Sequence, residues 1–204
     1  MLLLHINYMK YSKYNSKIKS LTKKKLFTSA ESRAIGLPSR MLAYFCKIGI
    51  IERISRGLYK IKNYNIDIDF EWEDLALVAK SIPNGVICLI SALCYYNLTD
   101  QIMREFWIAI PHSSTSPKRP NAHIVRMRNI TLGKTQIKMG SINLKIFDRE
   151  RTIIDSFRYL SEEIAIKALK AYLNSKEKPN LKKLLKYAKI LRVDIKPYIL
   201  AYTT

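Results

Sequence analysis

Hydrophobic and polar residues recur with a helical period near the N-terminus of the chain, within residues 28–61. Thr28 or Ser29 can cap a first helix, because a short polar side chain there accepts a hydrogen bond from a free backbone N–H group. The sequence Gly-Leu-Pro at 36–38 ends this helix, since proline disfavours helical geometry in the residue before it. A second helix follows and ends at Gly49.

The second helix, which opens at Pro38 or Ser39, divides into two faces. Leu42, Phe45 and Cys46 form an apolar face, because positions i, i+3 and i+4 lie together on a helix. The opposite face carries Ser39, Arg40, Ala43, Tyr44 and Lys47. A short helix with a buried rear and a basic, aromatic front fits the major groove of DNA.

Two β runs follow this helix, Ile50–Ser55 and Leu58–Ile61, and Gly57 can supply the positive φ that the turn between them needs. Three cations lie on this wing and could reach phosphates or the minor groove: Arg53, Arg56 and Lys60. The pattern predicts a winged helix-turn-helix. The alternative from the same residues is a basic helical hairpin with a solvated charged face.

Residues 9–25 are rich in lysine, and Tyr14, Ile18 and Leu21 give them a modest helical face. We expect this segment to be the first helix of the winged domain, with its lysines on backbone phosphates. The alternative is a disordered basic arm. Met9 is an alternative start, which would make residues 1–8 an upstream extension.

The composition changes after a polar linker at residues 63–70, and the second part of the chain mixes strands and helices. Helices are predicted at 71–82 and around Ser91, and strands at 105–110, 123–128, 135–139 and 142–147. Three more helices are predicted to close the chain, beginning after Asp148, Ser161 and Pro179. Asp148 is predicted to cap the first of them, on which Arg151 and Asp155 can pair at i and i+4. We therefore predict an α+β protein: a winged helix-turn-helix at residues 1–64, then a C-terminal domain at 65–204 with a small, mostly antiparallel sheet and several helices.

The net charge of +20 predicts an acidic partner such as DNA, RNA, an anionic membrane or an acidic protein. Residues 1–64 carry 14 Lys and Arg against 2 acidic residues, and residues 118–147 carry 7 against none. Residues 65–117 are acidic, with 7 acids against 2 bases. The positive charge is thus concentrated on the predicted DNA reader and recurs in the second half.

Two further groups of cations form candidate surfaces for an acidic protein or a nucleic acid. Arg126, Arg128, Lys134, Lys138 and Lys145 lie in the predicted sheet and could face solvent together. Lys182, Lys186 and Lys189 form a stripe on the last predicted helix. Both patterns are also those of ordinary solvated faces.

The sequence gives no support for a metal site, a disulfide framework or a membrane-spanning segment. The three cysteines form no C-x-x-C pair, and the three histidines are not grouped with them at metal-ligand spacing. No apolar run approaches the ~20 residues of a membrane span. We expect a cytoplasmic protein with reduced cysteines, without metal or other cofactor.

Several segments resemble the AbiEi family of antitoxins from type IV toxin–antitoxin (abortive infection) systems. They are IERISRGLY in the wing, WEDLALVAKSIPNGVICLISAL, LTDQIMREFWIAIP and DRERTIIDSFRY, in that order. The resemblance covers residues 26–173. It implies a bifunctional protein, whose winged helix binds inverted repeats in its operon promoter as a repressor. Its C-terminal domain would neutralise a cognate nucleotidyltransferase-like toxin, by direct binding or by countering its effect. The chain would be a monomer or a weak dimer and would bind DNA cooperatively.

Three other functions have weaker support in the sequence. An enzyme would need a catalytic signature, and the nearest pattern, Gly140-Ser141 with Asp148 and Glu150, has poor spacing for a nucleotidyltransferase, so we predict no catalysis. A winged-helix regulator with a ligand-sensing C-terminal domain and no toxin partner stays open, and it predicts an enclosed apolar pocket. An RNA-binding module lacks paired aromatic strand motifs.

Overall fold

A computed structural model of the chain describes residues 12–22, 24–63 and 68–203. These residues fall into two compact units. The first unit comprises the residues up to Glu73 together with the short segment Met139–Ile142. The second unit comprises Asp74–Lys138 and the residues from Asn143 onwards. The predicted alternative start at Met9 and the centre of the predicted linker lie outside the described residues. Within the described ranges, no helix is long and apolar enough to cross a membrane.

Three α-helices and a short 3-10 turn, Ser12–Tyr14, form the helical part of the first unit. The helices are α1 Asn15–Thr22, α2 Ser29–Ala34 and α3 Ser39–Lys47. A reciprocal capping box starts α2: Glu31 N–H donates to Thr28 Oγ1 over 3.2 Å, and Thr28 N–H donates to Glu31 Oε2 over 2.7 Å. Helix α2 ends before Gly36, whose φ of +75° suits glycine, and α3 begins after Pro38.

An antiparallel sheet completes the first unit, with strands β1 Leu26–Thr28, β2 Ile51–Ser55 and β3 Leu58–Ile61 in the order β1-β3-β2. Strand β1 was not predicted, because three residues are too few for an alternating pattern to show. The core of the unit includes Ile18, Leu21, Phe27, Leu42 and Phe45, each at most 1% exposed. These elements confirm the winged helix-turn-helix, and α1 is a packed helix rather than a free arm.

Six helices belong wholly or partly to the second unit. They are α4 Phe70–Ser81, α5 Leu89–Tyr95, α6 Arg149–Tyr159, α7 Glu162–Leu173, α8 Leu181–Leu191 and α9 Lys196–Thr203. Helix α4 crosses the division between the units. Three closing helices were predicted and four are present, because α9 is a separate short helix after the left-handed residue Arg192 (φ +57°).

The sheet of the second unit is mixed, which corrects the prediction of a mostly antiparallel sheet. Its strands are β4 Val86–Ile87, β5 Phe106–Pro111, β6 Ala122–Met127, β7 Lys134–Met139 and β8 Ile142–Phe147, in the order β6-β5-β4-β8-β7. β5 pairs with β6 and β4 with β8 in parallel, and β4 pairs with β5 antiparallel. The connection at residues 112–121 returns the chain to the end where β5 began, so β6 enters parallel.

A buried ion-pair group holds α6 in the core of the second unit. Arg151 Nε donates to Asp155 Oδ2 over 2.7 Å, and both side chains are at most 1% exposed. Arg158 Nη1 donates to the other Asp155 oxygen, also over 2.7 Å, and Arg151 Nη1 donates to the carbonyls of Asn129 and Leu132. Burial raises the pKa of Asp155 above its ordinary value, and the two guanidinium groups oppose that rise. The predicted pairing at i and i+4 on α6 is confirmed, and its burial is new.

The cysteines are all free: Cys88 is buried, and Cys46 and Cys94 are half-buried. Burial raises the pKa of the Cys88 thiol well above its ordinary value, so it stays protonated and unreactive at neutral pH. This agrees with the interpretation of Cys88 as a small core residue. Among the described residues, no group of three or more His, Cys, Asp or Glu could hold a metal ion.

Candidate nucleic-acid interface

Helix α3 presents one solvent-exposed face and one buried face. Ser39, Arg40, Ala43 and Lys47 are exposed and Tyr44 is half-buried, its ring packed at 5.6 Å from that of Phe45. Met41, Leu42 and Phe45 are buried, whereas Cys46, which was predicted to share the apolar face, is half-buried. Met41 is in the core because it lies four residues before Phe45, and positions i and i+4 share one face of a helix. The five candidate reading residues therefore lie along the outward side of α3.

Arg40 has a neighbour from the first turn of the chain that the structure describes. Burial would raise the pKa of the Tyr14 phenol, but a hydrogen bond with Arg40, together with Lys13, lowers it below its ordinary value. The Arg40 guanidinium therefore lies close to the Tyr14 phenol.

The wing cations lie in three different environments. Arg56 is exposed in the two-residue turn between β2 and β3, and Arg53 is exposed on β2, with its Nε 3.4 Å from the Ser55 carbonyl. Lys60 lies on the central strand β3, where its Nζ is 3.3 Å from a Glu52 carboxylate oxygen and its side chain is only 26% exposed. Its charge is already balanced by Glu52. Arg53 and Arg56 are the more exposed cations of the wing.

The wing turn is bound to the start of α2. Ser29 N–H donates to the Gly57 carbonyl over 2.9 Å, and the Ser29 hydroxyl lies 3.5 Å from the same oxygen. Gly57 has a φ of +83°, and a Cβ there would meet Ser29 Oγ at 3.2 Å. This role of Ser29 could not be predicted from the sequence, since only the contact between the two segments reveals it. The wing and the helix-turn-helix are thus joined at a residue pair that needs glycine.

Gly57→Ala is expected to destabilise the first unit by roughly 1–2 kcal/mol, because a side chain is strained at this positive φ. It should also weaken DNA binding, since the turn carries Arg56. Ser55→Ala is the matched control in the same wing. The Ser55 hydroxyl is the one buried side-chain polar atom without a hydrogen-bond partner across the described ranges, so its removal should be neutral or stabilise by up to ~1 kcal/mol. Urea unfolding compares the two, and equal destabilisation would contradict the strained turn.

Two side-chain hydrogen bonds, one exposed and one buried, hold the helix-turn-helix connection. Lys17 Nζ on α1 donates to the Gly36 carbonyl over 2.9 Å, and the buried Ser32 hydroxyl donates to the Leu37 carbonyl over 2.9 Å. Lys17 therefore caps the end of α2, although its type and position suggested a phosphate contact. Part of the N-terminal basic charge is structural.

The candidate cations of the second unit lie at both edges of its sheet. Arg126 lies on β6 at one edge of the sheet and Arg128 follows that strand, whereas Lys134 and Lys138 lie on β7 at the opposite edge. Lys145 on β8 is half-buried. Three strands separate β6 from β7, so the two pairs of exposed cations are far apart across the sheet, and a shared binding surface stays a prediction. Lys182, Lys186 and Lys189 are all exposed on α8 and remain a continuous stripe.

The two acids of the rejected nucleotidyltransferase pattern are bound to a lysine. Lys183 Nζ lies 3.0 Å from Asp148 Oδ2 and 2.9 Å from Glu150 Oε2, and Tyr172 donates to Glu150 Oε1 over 2.8 Å. Burial disfavours both charged groups, but their mutual hydrogen bond prevails: the pKa of Glu150 is lowered and that of Lys183 is raised. Asp148 also caps α6, accepting from Arg151 N–H over 2.8 Å, as predicted.

Two cavities in the second unit bear on the ligand-sensing alternative. One of about 640 Å³ lies where α8 meets α9, and one of about 500 Å³ lies beside Ile90 and Trp107. Both are open to solvent rather than enclosed, and the Trp107 ring is stacked on His123 at 3.8 Å. Neither is the enclosed apolar pocket that a small-ligand sensor would need.

A comparison with protein families finds a match over the first unit. The model of a family described as a transcriptional regulator, AbiEi antitoxin, matches residues 17–61. The match begins within α1 and ends at the last residue of β3, and so covers the helix-turn-helix and the wing. A comparison with curated proteins finds no match to this chain. The family is one of DNA-binding regulators rather than of enzymes. The winged helix-turn-helix of this chain is thus similar, over residues 17–61, to that family of AbiEi antitoxin transcriptional regulators.

Proposed function

We propose that the chain represses its own operon and neutralises the toxin encoded with it. In this proposal residues 1–64 bind inverted repeats in the promoter, and residues 65–204 counter a nucleotidyltransferase-like toxin in the cytoplasm. The observation that carries the DNA function is the exposed face of α3, with Arg40 and Lys47 outward and Leu42 and Phe45 in the core.

The roles of the residues follow from their places on the first unit. The face of α3 that carries Ser39, Arg40, Ala43 and Tyr44 enters the major groove, where arginine reads guanine by a bidentate contact. Arg53 and Arg56 extend from the wing to the phosphate backbone or the minor groove, with Lys60 as a minor contributor because of Glu52. One such unit reads one half-site, so two monomers would bind an inverted repeat cooperatively.

The DNA function is tested by gel shift of the full chain on its promoter, with an unrelated duplex as control. If Lys47, Arg53 and Arg56 each neutralise one phosphate, affinity should fall about 40-fold between 50 and 200 mM salt, since each contact contributes a slope of about −0.9. An affinity that does not change with salt, or equal affinity for the unrelated duplex, would reject the proposed DNA contact.

The neutralising function is tested in cells that express the toxin and the full chain from separate foreign promoters. Lys47→Glu should abolish the gel shift yet still rescue growth, because α3 belongs to the DNA-binding unit. The unaltered chain is the positive control. Failure of the unaltered chain to rescue would remove the antitoxin function and leave a DNA-binding regulator.

A further inference from the structure

An open groove lies between α8 and α9 of the second unit, with an apolar floor and a basic rim. The floor is formed by Leu185, Ala188, Val193 and Ile195, and the rim includes Lys189, Arg192 and Lys196. Its volume of about 640 Å³ is enough for several side chains of a bound segment. We call it the α8–α9 groove.

Cations outnumber acids around the α8–α9 groove and on the outer face of α8. Five exposed cations line or flank the groove: Lys182, Lys186, Lys189, Arg192 and Lys196. In the part of the chain that the structure describes, none of the five forms an ion pair, whereas their neighbour Lys183 binds Asp148 and Glu150. Among the lining residues Asp194 is the one acid, and it accepts the Lys196 backbone N–H over 3.2 Å. With five cations against one acid, the groove presents a net positive charge around an apolar floor.

We propose that the α8–α9 groove docks an acidic, amphipathic helical segment of a protein partner. Such a segment would place apolar side chains on the aliphatic floor and carboxylates on the rim, as helix-in-groove recognition does. Leu185, 38% exposed, is the apolar residue of the floor most available to such a partner. Charge complementarity to the five cations selects an acidic segment and speeds its encounter.

The chemistry of the floor favours a protein over a nucleic acid. The floor is aliphatic, and no aromatic ring lines the groove to stack a base, whereas proteins that bind single strands combine a basic track with aromatic platforms. The proposal deepens and rests on the neutralising function of the second unit, because it gives that unit a contact surface for a partner.

The proposal is tested with the full chain and a fluorescent helical peptide that has leucines at i, i+3, i+4 and i+7 and glutamates on the flanks. Saturable binding is expected by fluorescence anisotropy. The double variant Lys189→Glu, Lys196→Glu should weaken it at least tenfold, and Leu185→Ser at least fivefold. The matched control is Lys176→Glu, Lys178→Glu, which makes the same charge change at exposed residues outside the groove lining and should change affinity less than twofold.

Each other outcome overturns the proposal. These are absence of saturable peptide binding, equal weakening by the control double variant, and equal binding of a peptide with lysines in place of the glutamates. Displacement of the peptide by an unrelated DNA duplex would assign the groove to nucleic acid instead. If the groove double variant restores growth of toxin-expressing cells as well as the unaltered chain does, the proposed role of the groove is refuted and the antitoxin function stands. Failure of the unaltered chain to rescue would refute the antitoxin function, and the peptide assay would still decide whether the groove binds.

Discussion

Replacing Asp155 with asparagine is expected to lower the free energy of unfolding by about 3–5 kcal/mol, the largest effect of any substitution considered for this chain. Asp155 is fully buried and accepts hydrogen bonds from Arg151 and Arg158, each over 2.7 Å. Removing its charge leaves the Arg151 guanidinium, 1% exposed, without a counter-charge in the core. A buried ion that loses its partner keeps its full desolvation cost, so the loss far exceeds the net contribution of the intact pair.

Urea unfolding followed by circular dichroism measures this loss. The matched control is Glu163→Gln on α7, which breaks a pair of the same i,i+4 spacing: Glu163 lies 2.9 Å from Lys167, but both side chains are more than half exposed. The control should leave the unfolding midpoint unchanged, because exposed pairs are screened by water and salt. A loss below ~1 kcal/mol for Asp155→Asn would show that the core accommodates the unpaired arginine.

Arg40→Ala is expected to weaken operator binding by about 1–3 kcal/mol and to remove most of the preference over unrelated DNA. Arg40 is the second residue of α3, is exposed, and lies close to Tyr14. An arginine at the start of a recognition helix reaches base edges, and a bidentate contact to guanine is lost entirely when the side chain is removed. The expected result is similar affinity of the variant for the operator and for unrelated DNA.

Lys47→Ala is the matched control for specificity, since Lys47 is exposed on the same helix but at its last residue. A phosphate contact carries no sequence information, so this variant should weaken operator and unrelated duplex alike. Tyr14→Phe keeps the Arg40 charge but removes the hydroxyl beside it, and a smaller loss of specificity is expected. Retained discrimination in Arg40→Ala would exclude Arg40 as a base reader.

The elements that could be predicted from sequence are those held by local interactions. The capping box of Thr28 and Glu31 spans three residues, and the cap by Asp148 and the pairing of Arg151 with Asp155 span three and four. The outward face of α3 follows from helical period alone. Such contacts recur at fixed spacing along one helix, so their partners are visible in the printed order of residues.

Contacts between distant segments decided the rest. Strand β1 exists because it pairs with β3 about thirty residues later, and Lys60 is neutralised by Glu52 only because their strands are adjacent. The parallel entry of β6, the burial of Arg151 and the separation of Arg126 from Lys138 likewise depend on strand order and packing. A charge pattern indicates how many cations are available. Whether a cation is paired, buried or free to bind depends on the neighbours that the fold brings to it, because the strength of an electrostatic contact depends on distance and on exclusion of water.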